Sequence, residues 1–184
     1  KKDRVTILFS SAGRRVALMN NFRKASKELG IHVNIIAVDM DPSWSPACEA
    51  ADVAYMVPRC TAIEFMPRML DICRKEKVDL VIPTIDTELL PYVEHKDLFK
   101  EIGTDIHIGD AKFVAVARNK EETTQFLKSH NIPVPDSWNT ADIMKKRENI
   151  SFPLFIKPNG GSCSKGISVV SSMEEMQEII EGKE

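Results

Sequence analysis

Apolar residues fall into alternating short runs and helical spacings over the first hundred positions. Arg4 to Phe9 is a compact β-rich run that ends in Ser10-Ser11-Ala12-Gly13. From Arg14 to Leu29 the apolar positions become Val16, Met19, Phe22, Ala25 and Leu29. Those spacings of three and four mark an amphipathic helix, with Gly30 placed to close it. Val33 to Val38 is again β-rich and apolar apart from Asn34, the pattern of a parallel strand covered on both faces, and it ends at Asp39-Met40-Asp41-Pro42. The alternation continues with a helix from about Ile63 to Lys77, a strand Val78 to Pro83, a helix from about Thr87 to Ile102 and a short strand Asp105 to Gly109. Together these predict a doubly wound α/β unit, a parallel sheet of four strands or more.

Between Asp110 and Arg118 the pattern changes to helix, hairpin, helix, which predicts a first domain over 1–112 and a small α+β domain over 113–184. A helix opens at Arg118-Asn119-Lys120 and runs to about His130, followed by Asn131-Ile132-Pro133-Val134-Pro135. The stretch Phe152 to Val170, FPLFIKPNGGSCSKGISVV, places two apolar runs around a Gly/Ser-rich loop. Ser172-Met173-Glu174-Glu175 then has the form of a capping box, and Met173, Met176, Ile179 and Ile180 share one helical face. Glu174, Glu178 and Glu181 fall on the solvated side, which makes them poor magnesium ligands.

The Gly/Ser-rich loop carries the strongest chemical signal. Gly160, Gly161 and Gly166 can take positive φ and let backbone N–H groups converge on an anion. Ser162 and Ser164 add hydroxyl donors, Lys165 adds a charge, and Lys157 stands at the end of a strand that holds its ammonium. Gly161 to Gly166 has Walker A spacing, but Ile167-Ser168 follows where Lys-Ser/Thr is required. In a kinase loop the lysine would follow the glycines on a later strand. A plain hairpin turn with solvated lysines is the other reading of these residues.

The basic residue opening a helix, its Ile-Pro-x-Pro exit, the Phe-Pro-x-x-x-Lys-Pro strand and the Gly/Ser-rich hairpin resemble the first half of an ATP-grasp domain. The N-terminal region resembles the Rossmann-like pre-ATP-grasp domain that precedes it in ligases of the carbamoyl phosphate synthase large-subunit group. The resemblance implies ATP as a cofactor, gripped by Lys120, Lys157, Gly160, Gly161, Ser162, Ser164, Lys165 and Gly166. It implies an ATP-dependent ligase joining a small-molecule carboxylate to an amine-type nucleophile through an acyl phosphate. It also implies Mg2+, whose ligands in that family come from the second half of the domain; nothing in this chain matches that half. No residue is assigned a catalytic role, and this chain alone is expected to be inactive.

In doubly wound sheets ligands lie beyond the carboxyl ends of the strands. There, Ser11, Gly13 and Arg14, with Ser10 and Arg15, are candidates for an anion or substrate site at a helix start; a plain strand-to-helix turn is the alternative. Asp39 can meet a hydroxyl or amine or belong to an Asp-x-Asp-Pro turn, and Asp41 reads as the turn. Asp86 and Glu88 can reach the same crevice, or Asp86 or Thr87 can cap a helix with Glu88 in its first turn; both can hold together.

Composition adds mainly exclusions. The chain has 184 residues, 43% hydrophobic and 28% charged, enough for a sizeable core. A net charge of −2 argues against a nucleic-acid partner. Cys48, Cys60, Cys73 and Cys163 lack zinc or disulfide spacing, and His32, His95, His107 and His130 sit on separate predicted elements. No apolar run approaches a membrane span, so no membrane partner and a cytoplasmic location are expected. The chain starts without methionine, which fits a piece of something longer. The oligomeric state stays open, with a homodimer among the options. A non-catalytic nucleotide-binding module and a Rossmann-type NAD-binding protein remain as alternatives, the latter with one glycine where G-x-G-x-x-G needs three.

Overall fold

The computed structural model describes residues 3–145, 150–161 and 164–182. The chain divides into two compact units, 1–114 and 115–184.

The first unit is built on five strands: β1 (Arg4–Ser10), β2 (His32–Asp39), β3 (Val53–Met56), β4 (Leu80–Pro83) and β5 (Asp105–Ile106). Their order is β3-β2-β1-β4-β5 and every pairing is parallel. Alternate side chains of β1 enter opposite faces, as the two-residue period of a strand requires. Ile7 and Phe9 join Met19, Ile35, Ala37 and Ile82 on one side, whereas Leu8 joins Ile36, Val38, Phe65, Met69 and Val81 on the other. Helix α1 (Val16–Leu29) covers the first face through Met19, and Gly30 closes it in the left-handed conformation at φ 65°. Leu29, counted in its apolar stripe, is exposed.

A short α2 (Pro46–Ala50) follows a 3-10 turn at Pro42–Trp44, and α3 (Phe65–Glu76) packs on the second face with Tyr92 and Phe99. The strand expected from Val78 begins two residues later because Val78 N–H still closes α3 through the Cys73 carbonyl, with Lys77 left-handed at φ 52°. The helix expected over 87–102 is two helices, α4 (Leu89–Glu94) and α5 (Lys96–Glu101), preceded by a 3-10 turn at Asp86–Glu88. The break falls at His95, whose φ of −109° and ψ of 7° leave the helical region, and whose N–H and ring nitrogen Nδ1 both address the Pro91 carbonyl. The strand expected over 105–109 is regular only at Asp105–Ile106, although His107 N–H still reaches the Val81 carbonyl.

Helix α6 (Ala111–Arg118) spans the division at Val114. In the second unit, α7 (Lys120–Ser129) and α8 (Thr140–Lys145) precede the antiparallel pair β6 (Leu154–Ile156) and β7 (Ser168–Val170), and α9 (Met173–Glu181) follows. The Phe152–Pro153 peptide is cis. Leu154, Ile156, Val170, Met176, Ile143, Ile179 and Ile180 form its core, while the facing pair Phe155 and Val169 is exposed. Ser172 Oγ accepts the Glu175 N–H at α9, and Glu175 reaches back to Ser171 N–H. Glu174, Glu178 and Glu181 are exposed, as their spacing predicts.

Candidate phosphate-binding site and the carboxyl-edge crevice

In the second unit, Lys120, Lys157, Pro158, Gly160, Gly161, Ser164, Lys165 and Ile167 line a cavity of about 140 Å3. Six of these are residues that the sequence nominated. Ser162, also nominated, lies outside the described residues, as does Cys163.

Local structure explains the convergence. β6 ends at Ile156, so Lys157 projects where the chain leaves the sheet, and the return strand β7 brings Ile167 back beside it. The loop between them needs left-handed backbone at Gly161 (φ 112°), Ser164 (φ 56°) and Gly166 (φ 71°). Gly166 is required for a second reason: a Cβ there would lie 2.9 Å from Pro158 Cγ. Lys120 is the first residue of α7, and its Nζ donates to the carbonyls of Asn159 at 3.1 Å and Gly161 at 3.3 Å. Three lysines, Lys120, Lys157 and Lys165, and a glycine-rich backbone lining one small cavity make an environment for a polyanion, since compact positive charges and backbone donors meet in one place.

Asn159 escaped the sequence reading. It stands between Lys157-Pro158 and Gly160-Gly161, where an asparagine reads only as turn chemistry.

At the carboxyl edge of the first unit, Glu88 is fully buried. Its Oε2 accepts from Ser10 Oγ at 2.6 Å and Ser11 Oγ at 2.8 Å; its Oε1 accepts from Thr84 N–H at 2.6 Å and Ile85 N–H at 3.2 Å. Burial pushes the carboxyl above its usual range, and hydrogen bonds from Ser10, Ser11, Ile85 and Thr84 pull the other way. Glu88 therefore ties the ends of β1 and β4 together, a correction to the expectation that its carboxylate opens onto the crevice. The capping expectation holds in placing Glu88 in the first turn and is corrected for the cap itself. Ile85, not Asp86 or Thr87, precedes the 3-10 turn, and Glu88 supplies the acceptor for its N–H.

Asp39 accepts from Gly13 N–H at 2.8 Å and from its neighbour Met40 N–H at 2.8 Å, which fixes the β1-to-α1 turn against the end of β2. Gly13 sits at φ 47° and Ser11 at φ 49°. Arg14 is exposed, and Arg15 donates to the Thr84 carbonyl at 3.3 Å. Asp86 is half-buried in the 3-10 turn, and Asp41 accepts from Ser43 N–H as the expected turn residue. Ser11 and Glu88 thus touch, Gly13 and Asp39 touch, and Arg14 makes neither contact.

A larger depression of about 440 Å3, lined by Arg4, Thr6, Asn34, Glu76, Lys77 and Asp79, lies at the opposite, amino end of the strands. Asp79 there accepts Thr6 N–H at 2.8 Å. Doubly wound folds place ligands at the other edge, so volume alone does not move the site. Among the described residues, no group of three or more His, Cys, Asp or Glu side chains is arranged to hold a metal ion. No helix among them is long and apolar enough to cross a membrane.

Residues 7–107 match the family described as PylC-like, N-terminal domain. The chain belongs to that family. The PylC-like chain is also 29% identical over 118 residues to a phosphoribosylamine–glycine ligase of Escherichia coli, an alignment covering 62% of this chain and 27% of the relative. It is 28% identical over 171 residues to the carbamoyl phosphate synthase large chain of Campylobacter jejuni, covering 85% of this chain and 14% of that one. The chain thus spans well under half the length of these relatives. In fold, it resembles the biotin carboxylase domain of Hydrogenobacter thermophilus 2-oxoglutarate carboxylase, crystallised with MgADP and bicarbonate, with a TM-score of 0.70 at 20% identity over 96% of this chain and 40% of that one. The resemblance to ATP-grasp ligases of the carbamoyl phosphate synthase group, and the parallel α/β sheet followed by a small antiparallel one, are borne out.

Proposed function

We propose that the first unit is the pre-ATP-grasp domain and the second the opening part of the ATP-grasp domain of an ATP-dependent, carboxylate-activating ligase. The observation that carries this reading is the convergence of Lys120, Lys157, Gly160, Gly161, Ser164 and Lys165 on one cavity. Lys120 and Lys157 neutralise phosphate oxygens, and loop N–H groups released by left-handed backbone take part of the remaining charge. A carboxylate oxygen of the substrate attacks the γ-phosphorus, the bond to ADP breaks, and an acyl phosphate forms. An amine then attacks the acyl carbon, phosphate leaves with the bonding pair, and the amine loses a proton. Magnesium, when bound, withdraws charge from the phosphates. The described residues offer no ligand cluster for it, and the reading assigns its ligands to residues outside this chain.

Ser11, Gly13, Arg14, Asp39 and Asp86 are proposed to face the small-molecule substrate at the carboxyl edge, with Glu88 fixing Ser11 rather than touching substrate. A cytoplasmic location belongs to the same proposal, as it suits a metabolic ligase.

Isothermal calorimetry of the 184-residue chain with Mg-ATP, beside NAD and a Lys157→Ala variant, tests the reading. Mg-ATP binding that Lys157→Ala weakens is the expected result. Binding of NAD in its place, or ATP affinity unchanged in the variant, would overturn it.

A further inference from the structure

The first turn of α7 takes part of its hydrogen bonding from another element. An α-helix begins with N–H groups that lack intrahelical acceptors. In α7 the Asn119 N–H donates to the Val116 carbonyl, the Lys120 N–H to the Asn159 carbonyl at 3.3 Å, and the Glu121 N–H to Asn159 Oδ1 at 3.0 Å. Asn119 Oδ1 accepts from Glu121 N–H at 3.1 Å and Glu122 N–H at 3.0 Å, as an ordinary N-cap does. The Asn159 carbonyl also accepts the Lys120 ammonium at 3.1 Å. One residue of the β6–β7 loop therefore meets Lys120 at its backbone and at its side-chain end, and meets the next amide of the helix as well.

This arrangement has two chemical consequences. The free N–H groups that would make the start of α7 an anion site are already occupied, so Lys120 Nζ is the group through which α7 can act on a phosphate. That ammonium is a flexible four-carbon reach from the helix, and it is held at the cavity by the Asn159 and Gly161 carbonyls. Lysine loses considerable rotamer freedom when it is fixed, so a prior tether lowers the cost of binding.

We infer that Asn159 is the positioning residue for Lys120, locking the phosphate loop to the start of α7 so that Lys120 and the loop meet a nucleotide phosphate as one preformed unit. This rests on the nucleotide-phosphate reading of the cavity. Asn159 is not a phosphate ligand in this scheme; it acts through Lys120.

A double-mutant cycle with Mg-ATP titrated into wild type, Asn159→Ala, Lys120→Ala and the double variant separates the cases, alongside hydrogen exchange at the Glu121 amide without nucleotide. Asn159→Ala keeps the main-chain carbonyl that holds Lys120 and removes the Oδ1 that ties this carbonyl's loop to α7. It is therefore expected to weaken binding about fivefold, the scale of one modest hydrogen bond, and to speed exchange at Glu121, whose N–H then keeps only Asn119 Oδ1. Asn159→Asp, which keeps the Oδ acceptor, restores slow exchange. In the Lys120→Ala background the asparagine change adds nothing. Wild-type affinity in Asn159→Ala, or losses that simply add in the double variant, would overturn the positioning role while leaving the nucleotide reading intact. Failure of wild type to bind Mg-ATP would remove both.

Discussion

Ser10 Oγ donates to Glu88 Oε2 at 2.6 Å across 78 positions of the chain, and the Tyr92 hydroxyl donates to the same Ser10 oxygen at 2.8 Å. All three residues are buried. Removing the carboxylate strands four donors, two hydroxyls and two backbone N–H groups, that water cannot reach freely. Glu88→Ala is expected to lower stability by about 3–5 kcal/mol. Urea unfolding measures this, and a loss below about 1 kcal/mol would mean the tie is not structural.

The same group sets a pH dependence. Burial raises the Glu88 carboxyl above its ordinary 4.5. Between that value and the raised one, the unfolded chain has released the proton while the folded chain keeps it. The folded state therefore binds more protons, and the Glu88 contribution falls as pH rises through the window. Wild type should lose stability relative to Glu88→Gln as pH climbs from about 4 to 8; a constant difference over that range would contradict the assignment.

Gly166 and Gly160 make a matched pair in the loop. Alanine at 166 meets Pro158 at 2.9 Å and must adopt φ 71°, whereas at 160 nothing lies within 4 Å. Gly166→Ala is expected to cost about 1–3 kcal/mol and Gly160→Ala under about 1 kcal/mol. Thermal melts of the two variants side by side decide it; equal losses would mean the loop is not held in this conformation.

Cysteine labelling probes the first unit. Burial pushes the Cys73 thiol up to about 12, and burial also raises that of Cys48. Cys60 is half-buried and donates to Thr87 Oγ1 at 3.6 Å. Among these three, a thiol reagent at neutral pH should modify Cys60 first and Cys73 only after denaturant is added, as mapped by mass spectrometry of peptides. Early labelling of Cys73 would show that this face of the sheet opens readily.

The elements legible in the sequence were those whose burial leaves a long trace. β1, α1 and β2 carry continuous or periodic apolar runs because the sheet is covered on both faces. β3 was missed: at the sheet edge its four residues alternate between half-buried and exposed, too short a pattern to register. The five-residue α2 is likewise below a helical period's reach, although Ser45 and Pro46 mark its start. Lys157 and its glycines were readable because one contiguous stretch holds them. Asn159 was passed over and Glu88 was read only as far as its place in a first turn, since the partners that define their roles lie 38 and 78 positions away. Distance in sequence hides such roles even where each residue type is ordinary.

The strand order also dictates when the first unit can assemble as it leaves the ribosome. β1, first to emerge, sits at the centre of the sheet and pairs on one edge with β2 and on the other with β4, Ile7 beside Leu80 and Ser10 beside Pro83. Residues 4–56 can therefore form at most a three-stranded sheet with one flank of β1 bare. Only after Glu88 has emerged can Ser10 and Ser11 find their acceptor, so the crevice is completed only once β4 and the turn after it have been made, although its first residues come with β1. Nascent chains halted between β3 and β4 leave the backbone N–H and C=O groups on one edge of the central strand unpaired, beside apolar faces not yet covered by α3, which makes that interval the one in which a chaperone has most to cover.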